Sequence, residues 1–265
     1  MAVQYFAEFP TIEYTLTKDI TDAKTLTDIT RRVGIRGDFS EYVSSYYMHV
    51  NVDGRRPELS ALSAYGSTLD HWIVLHANDV VDPYFDWVLE YANFEAYVLK
   101  RYPDEVLIYD IISANQYGKN FVIGETITGS ESGATAVVKD SKADLGQIVY
   151  ESGPNWDAST PDIITGSVSG LTANVESTVK EYAAPRFYEV VRDNGDGSED
   201  RLVVDKGFSN TERANLPGGT ASWPAPVVVD NATYEYRLNE KNREIKMLNP
   251  QLIEAFEEDF RDKIQ

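Results

Sequence analysis

Residues 46–79, YYMHVNVDGRRPELSALSAYGSTLDHWIVLHAND, read as one strand followed by two helices. YYMHVNV (46–52) alternates with the period of two expected of a half-buried strand. DGRR (53–56) supplies a turn. Pro57 suits a first helical position, and Leu59, Leu62 and Tyr65 fall toward one side before Gly66 stops the helix. Ser67 and Asp70 have the spacing of a capping box for a second helix. There Leu69, Trp72, Ile73, His76 and Ala77 recur at i, i+3, i+4, i+7 and i+8, which predicts a buried stripe ending near Asn78.

Upstream, residues 11–45 mix Thr, Asp and Arg with little periodicity and read as an extended or irregular arm. Downstream, DVVDPY is a turn and residues 86–101 form a third amphipathic helix. From Pro103 to about residue 180, Gly, Ser, Thr and Val dominate, and an internal repeat appears. ITGSESGATAVV (127–138) recurs as ITGSVSGLTANV (164–175), identical at nine of twelve positions. Each copy reads as strand, small-residue turn, strand, so two related hairpins can pair into a small barrel or sandwich. The competing reading, a flexible Gly/Ser linker, lacks the flanking β-branched alternation seen here. After Pro185, FYEVVRDNGDGSEDRLVVD is a further hairpin, and residues 207–226 read as irregular. REIKML (243–248) is a candidate strand. Asn249 then caps a final helix with Pro250 in its first turn and Ile253, Phe256, Phe260 and Ile264 along one face.

The chain has 265 residues, enough for one large domain or two small ones, and 42% of them are apolar. No apolar run approaches the roughly 20 residues of a membrane-spanning helix. The start, MAVQYFAEFPTIEY, lacks signal-peptide character, and the absence of cysteine removes disulfide and thiolate chemistry. A soluble intracellular protein is the default expectation. A net charge of −19 repels phosphate backbones and argues against nucleic-acid binding. Seventeen tyrosines and four tryptophans suit permanent protein interfaces.

Catalytic constellations are absent. His71 and His76, five apart on one helix, project in different directions and cannot share a metal, and His49 sits on the strand. Asp79 and Asp82 near Trp87 resemble a glycosidase pair, but Asp82 precedes Pro83 in a turn that suits backbone capping. DNGDGSED (193–200) fails the calcium-loop pattern, because aligning Gly197 puts Arg192 at the first ligand position and Val203 at the last. GSESG and GSVSG carry Glu131 and Val168 where a nucleophile elbow needs serine. Asn231-Ala232-Thr233 is a glycosylation sequon, relevant only in a eukaryotic secretory route. No catalytic, metal or cofactor residues are expected, and no enzymatic activity.

The strand-helix-helix order at 46–78, with AYG between the helices and an asparagine closing the second, resembles a lysin-motif (LysM) module, a small βααβ unit. More closely, FPTIEY, RPELSALSAYG, DHWIVLHAND, DPYFDW and NEKNREIKMLNPQLIEAF, in that order, resemble the LysM-like baseplate wedge subunit of contractile-tailed bacteriophages. The resemblance covers roughly residues 5–101 and 234–265; the middle, 104–231, departs from it. Hairpins of the GETITGSESGATAVV type are also similar to decorations on other phage virion proteins.

The resemblance implies an α+β fold: a discontinuous LysM-like βααβ core with extra helices, plus an inserted all-β domain. The expected division is an arm at 1–45, a core of 46–103 with 232–265, an inserted β domain at 104–184, and a hairpin arm with linker at 185–231. With no convincing strand directly after Asn78, REIKML is expected to pair with YYMHV across the insertion. The implied function is structural, joining wedge subunits to each other and to the central baseplate in the virion tail, after assembly in the host cytoplasm. The implied partners are other wedge and inner baseplate proteins, with copies in a sixfold ring, and neither nucleic acid nor membrane. Phe9, Pro10, Ile12, Tyr14, Tyr84, Phe85 and Trp87 are the candidate partner contacts, while Trp72 is expected in the core. The alternative is a glycan-binding LysM module, since aromatic surfaces stack on sugars.

Overall fold

The structure is a computed structural model that describes residues 5–7, 9–15, 23–31, 43–82, 86–111, 119–154, 156 and 162–264. The chain begins with strands β1 (Thr11–Tyr14), β2 (Lys24–Thr27) and β3 (Tyr46–Val50), followed by helices α1 (Pro57–Tyr65), α2 (His71–Ala77) and α3 (Tyr91–Arg101). Next come β4 (Glu105–Tyr109), β5 (Thr126–Gly129), β6 (Thr135–Lys142), β7 (Gln147–Tyr150), β8 (Ile163–Gly166) and β9 (Thr172–Lys180). Strands β10 (Pro185–Asp193) and β11 (Glu199–Val204) lead to the short helices α4 (Asn210–Ala214) and α5 (Gly219–Ser222). Strand β12 (Val227–Asp230), helix α6 (Asn231–Lys241), strand β13 (Glu244–Leu248) and helix α7 (Ile253–Ile264) complete the order. Two compact units divide the chain: Met1–Phe94 with Leu238–Gln265, and Glu95–Arg237.

In the first unit, β13 pairs antiparallel with β3, Leu248 opposite Tyr46 and Glu244 opposite Val50. REIKML is therefore the strand that YYMHV lacks locally. Ile245 and Met247 turn inward to Ala61, Val74, Trp87 and Val88. A second apolar cluster joins Phe9 and Trp72 to Leu248, Phe256, Phe260 and Ile264, so the two ends of the chain share one core. The stripe on α7 falls where its periodicity puts it: Phe256, Phe260 and Ile264 are buried. The turn before it is a 3-10 helix, Pro250–Leu252, whose first amides are met by Asn249 accepting from Gln251.

Three local expectations are corrected. Leu59 and Leu62 point outward, 49% and 46% exposed, and α1 buries Ser60 and Ala61 instead. Small side chains let its backbone approach its neighbours closely, which the branched leucines would prevent. The capping box at Ser67 does not form. Asp70 holds the N-cap position without a side-chain bond, and Ser67 Oγ accepts from Leu69 at 3.1 Å. The third helix starts at Tyr91 rather than residue 86, because Trp87 and Val88 are drawn into the core before it.

The second unit contains a closed barrel in the order β4-β7-β6-β5-β8-β9. Its interior is apolar, with Tyr109 edge-on to Phe121 at 5.7 Å and Tyr150 edge-on to Trp156 at 5.9 Å. Burial pushes the Tyr109 hydroxyl up to about 12. Beside the barrel in sequence, β10 pairs with β11 and with β12. Buried Glu189 on β10 accepts from Arg201 at 2.6 Å and from Arg237 of α6 at 2.8 Å. Arg186 lies 3.8 Å from the Tyr234 ring centroid. Buried Glu235 accepts from the Tyr102 hydroxyl at 2.7 Å and pairs with Arg101 at 3.3 Å. Each acid thus meets compensating donors, as a buried charge must. Residues 207–226 are more ordered than their composition suggests: Ser209 and Glu212 form a true capping box on α4.

Candidate interaction surface

His71 Nδ1 lies 3.0 Å from the Thr68 carbonyl oxygen, and His76 packs against Tyr5, Trp72 and Phe260. His49 is half-buried on β3. Among the described residues, no group of three or more His, Cys, Asp or Glu side chains can hold a metal ion. In the turn after α2, the Asp86 carboxylate accepts the amides of Val81 at 3.0 Å and Asp82 at 2.9 Å. Asp79 adopts φ 53, a left-handed residue one step beyond the helix cap, so its role is also in the turn.

In DNGDGSED, Asp193 accepts from the Gly195 amide at 2.7 Å and Asp196 from the Ser198 amide at 2.9 Å. The acids tie the turn to its own backbone. Asn231 of the sequon is buried and donates to the Glu181 carbonyl at 2.7 Å, which removes its amide from solvent. No helix of the described residues is long and apolar enough to cross a membrane.

What remains is exposed apolar surface on the first unit. Strands β1 and β2 pair with Ile12 opposite Leu26 and Tyr14 opposite Lys24. Paired residues share a face, so Ile12, Tyr14 and Leu26 lie together on one side with Lys24 at its end, while Thr11, Glu13, Thr25 and Thr27 form the polar side. All eight strand residues are exposed, Ile12 at 38%, Tyr14 at 50% and Leu26 at 48%, and Ile29 beyond them at 68%. A two-stranded hairpin open on both sides has little to stabilise it alone. This one is tied at its base: the Asp28 amide donates to the Pro10 carbonyl at 2.8 Å, and Arg31 donates to the Ile264 carbonyl at 2.5 Å.

The expected contact residues therefore separate. Ile12 and Tyr14 lie on the open apolar face, and Pro10 is half-buried at its base. Phe9 and Trp87 are corrected to core positions. Phe9 sits in the aromatic cluster with Tyr5 and Phe260, and Trp87 donates its indole N–H to the Arg55 carbonyl at 3.0 Å. A ring enclosed by its own chain has no surface to offer a neighbour. Tyr84 and Phe85 lie outside the described residues. Leu26, on the same face, and Ile29 beyond it are exposed apolar residues that the sequence reading did not single out, although KTLT alternates over four residues.

No curated protein sequence matches the chain. Residues 4–116, which include the hairpin, α1, α2 and α3, match the family model described as base plate wedge protein 53.

Proposed function

We propose that the chain is a wedge component of the phage tail baseplate that joins wedge subunits to each other and to the central baseplate, with the open face of the β1–β2 hairpin as its principal contact. The observation that carries this is the exposed Ile12, Tyr14 and Leu26 face on a hairpin tied at its base. A structural joint needs apolar anchors rather than acids, bases or metals, and apolar anchors are what this unit presents. In this reading residues 46–103 with 232–265 form a LysM-like core, supported by the β3–β13 pairing around α1 and α2. Residues 104–184 are the inserted β domain and 185–231 a hairpin arm. Copies occupy equivalent places in a sixfold ring of wedges in the assembled virion.

The experiment is a phage carrying Ile12→Asp with Leu26→Asp. Its lysate is expected to contain soluble, folded subunit and few complete baseplates by electron microscopy. A wild-type yield of tails from that phage would remove the hairpin from the joint.

A further inference from the structure

The repeat visible in the sequence extends to the whole barrel, including its irregularities. Adding 37 to each residue of the β5–β6 register (Thr126 with Val137, Ile127 with Ala136, Thr128 with Thr135) reproduces the β8–β9 register. The β6–β7 pairing slips between Val138 and Asp140, and the β4–β9 pairing slips between Val175 and Ser177, 37 positions later. Even the bulge is duplicated. Where the copies meet, Thr128 pairs with its own counterpart Thr165, and Leu107 pairs with Ile148 at the opposite side of the barrel. A pseudo-twofold axis passes through both places.

Side chains obey the same axis. Glu125 of the first copy accepts the Val168 and Ser169 amides of the second copy's turn, each at 2.8 Å. Asp162 of the second copy accepts the Glu131 amide at 2.9 Å and the Ser132 hydroxyl in the first copy's turn. Gly129 and Gly166 are the points of close approach. A Cβ on Gly166 would stand 2.7 Å from Glu125 Oε2, and one on Gly129 would stand 2.8 Å from Asp162 Cγ. The barrel's apolar interior thus draws on both halves, and an acid of each half holds the turn of the other.

We infer that each half of the barrel, β4–β6 or β7–β9, is a self-complementary binding surface whose partner is the equivalent half, so that a second copy of this chain can supply it and two chains can exchange halves. The two halves are joined by the turn Ala143–Gly146 alone, so opening that turn converts every contact across the axis from intrachain to interchain without changing its chemistry.

The chain has no cysteine, which makes the test direct. Two full-length chains, one with Thr128→Cys and one with Thr165→Cys, both lacking Ala143–Leu145 so that the turn cannot close, are unfolded together and refolded by dilution. Residues directly opposite in an antiparallel pair lie about 4.5–5.5 Å apart at Cα, within disulfide reach. The expected product is a dimer by light scattering and a disulfide-linked heterodimer on a non-reducing gel, with neither homodimer formed. Monomers, or dimers without that crosslink, overturn the inference. Should the shortened chains precipitate, the same pair with intact turns is refolded at high protein concentration. Heterodimer crosslinks in excess of homodimer crosslinks then support exchange, and monomers alone overturn it.

Discussion

Asn78 and Lys246, 168 residues apart, are joined as two strands would be: the Asn78 side chain donates to the Lys246 carbonyl at 2.9 Å and accepts its amide at 2.7 Å. The same amide nitrogen also donates to the Val74 carbonyl at 2.8 Å. One side chain thus ends α2, covers the outer edge of β13, and fastens the C-terminal segment to the first helices.

Replacing Asn78 with Ala leaves the two backbone groups of Lys246 without these partners. Unmet buried groups cost about 1–3 kcal/mol each, so a loss of about 2–6 kcal/mol is expected in denaturant unfolding of the first unit. Asn78→Asp keeps the acceptor and loses the donor, and is expected to fall between wild type and Asn78→Ala.

Trp87→Ala is expected to destabilise the isolated protein by about 3–5 kcal/mol, the range for removing a buried aromatic ring. The midpoint of chemical unfolding reads this directly. Unchanged stability combined with failed assembly would return Trp87 to the partner surface.

The crossed clamps make the barrel acid-sensitive. Burial pushes the Glu125 and Asp162 carboxyls up, but the amides and hydroxyls aimed at them outweigh it and hold both below the ordinary carboxylate range. Depressed values mean that this stability is complete above the unfolded-state values of about 4 and is lost as pH falls through the folded ones. Glu125→Gln with Asp162→Asn is expected to lower the neutral-pH melting temperature and to flatten its dependence on pH below about 4.

His76 titrates with the opposite charge and the same outcome. Burial against Tyr5, Trp72 and Phe260 lowers its pKa, while Asp79 opposes the shift. Because the unfolded state takes up the proton first, stability is lost as pH falls below about 6.5, and the loss is complete below the folded pKa. With three histidines in the chain, an NMR titration resolves this one. His76→Gln is expected to remove the component of melting-temperature loss in that window.

Periodicity made β3, α1, α2, β13 and α7 of the first unit legible, and the repeat announced paired hairpins. Burial was harder to read. Leu59 and Leu62 have the spacing of a buried face, yet α1 packs through Ser60 and Ala61, because closeness of approach depends on the neighbours and not on the helix itself. Phe9 and Trp87 show the same ambiguity from the other side: an aromatic ring fits a core or a partner equally well until the chain's own packing is known. The strand that pairs with Ile12 and Tyr14, β2, lay in a segment too polar to stand out. The roles of Glu125 and Asp162 were hidden because each acts on the copy to which it does not belong.

That crossing ties the evolution of the two copies together. A side chain at position 166 would meet Ser169 of its own turn and Glu125 of the other copy, and one at position 129 would meet Ser132 of its own turn and Asp162 of the other copy. Neither glycine can be replaced until both its own serine and the facing acid give way. Lineages that let the copies drift apart must therefore change them in matched steps that span both copies.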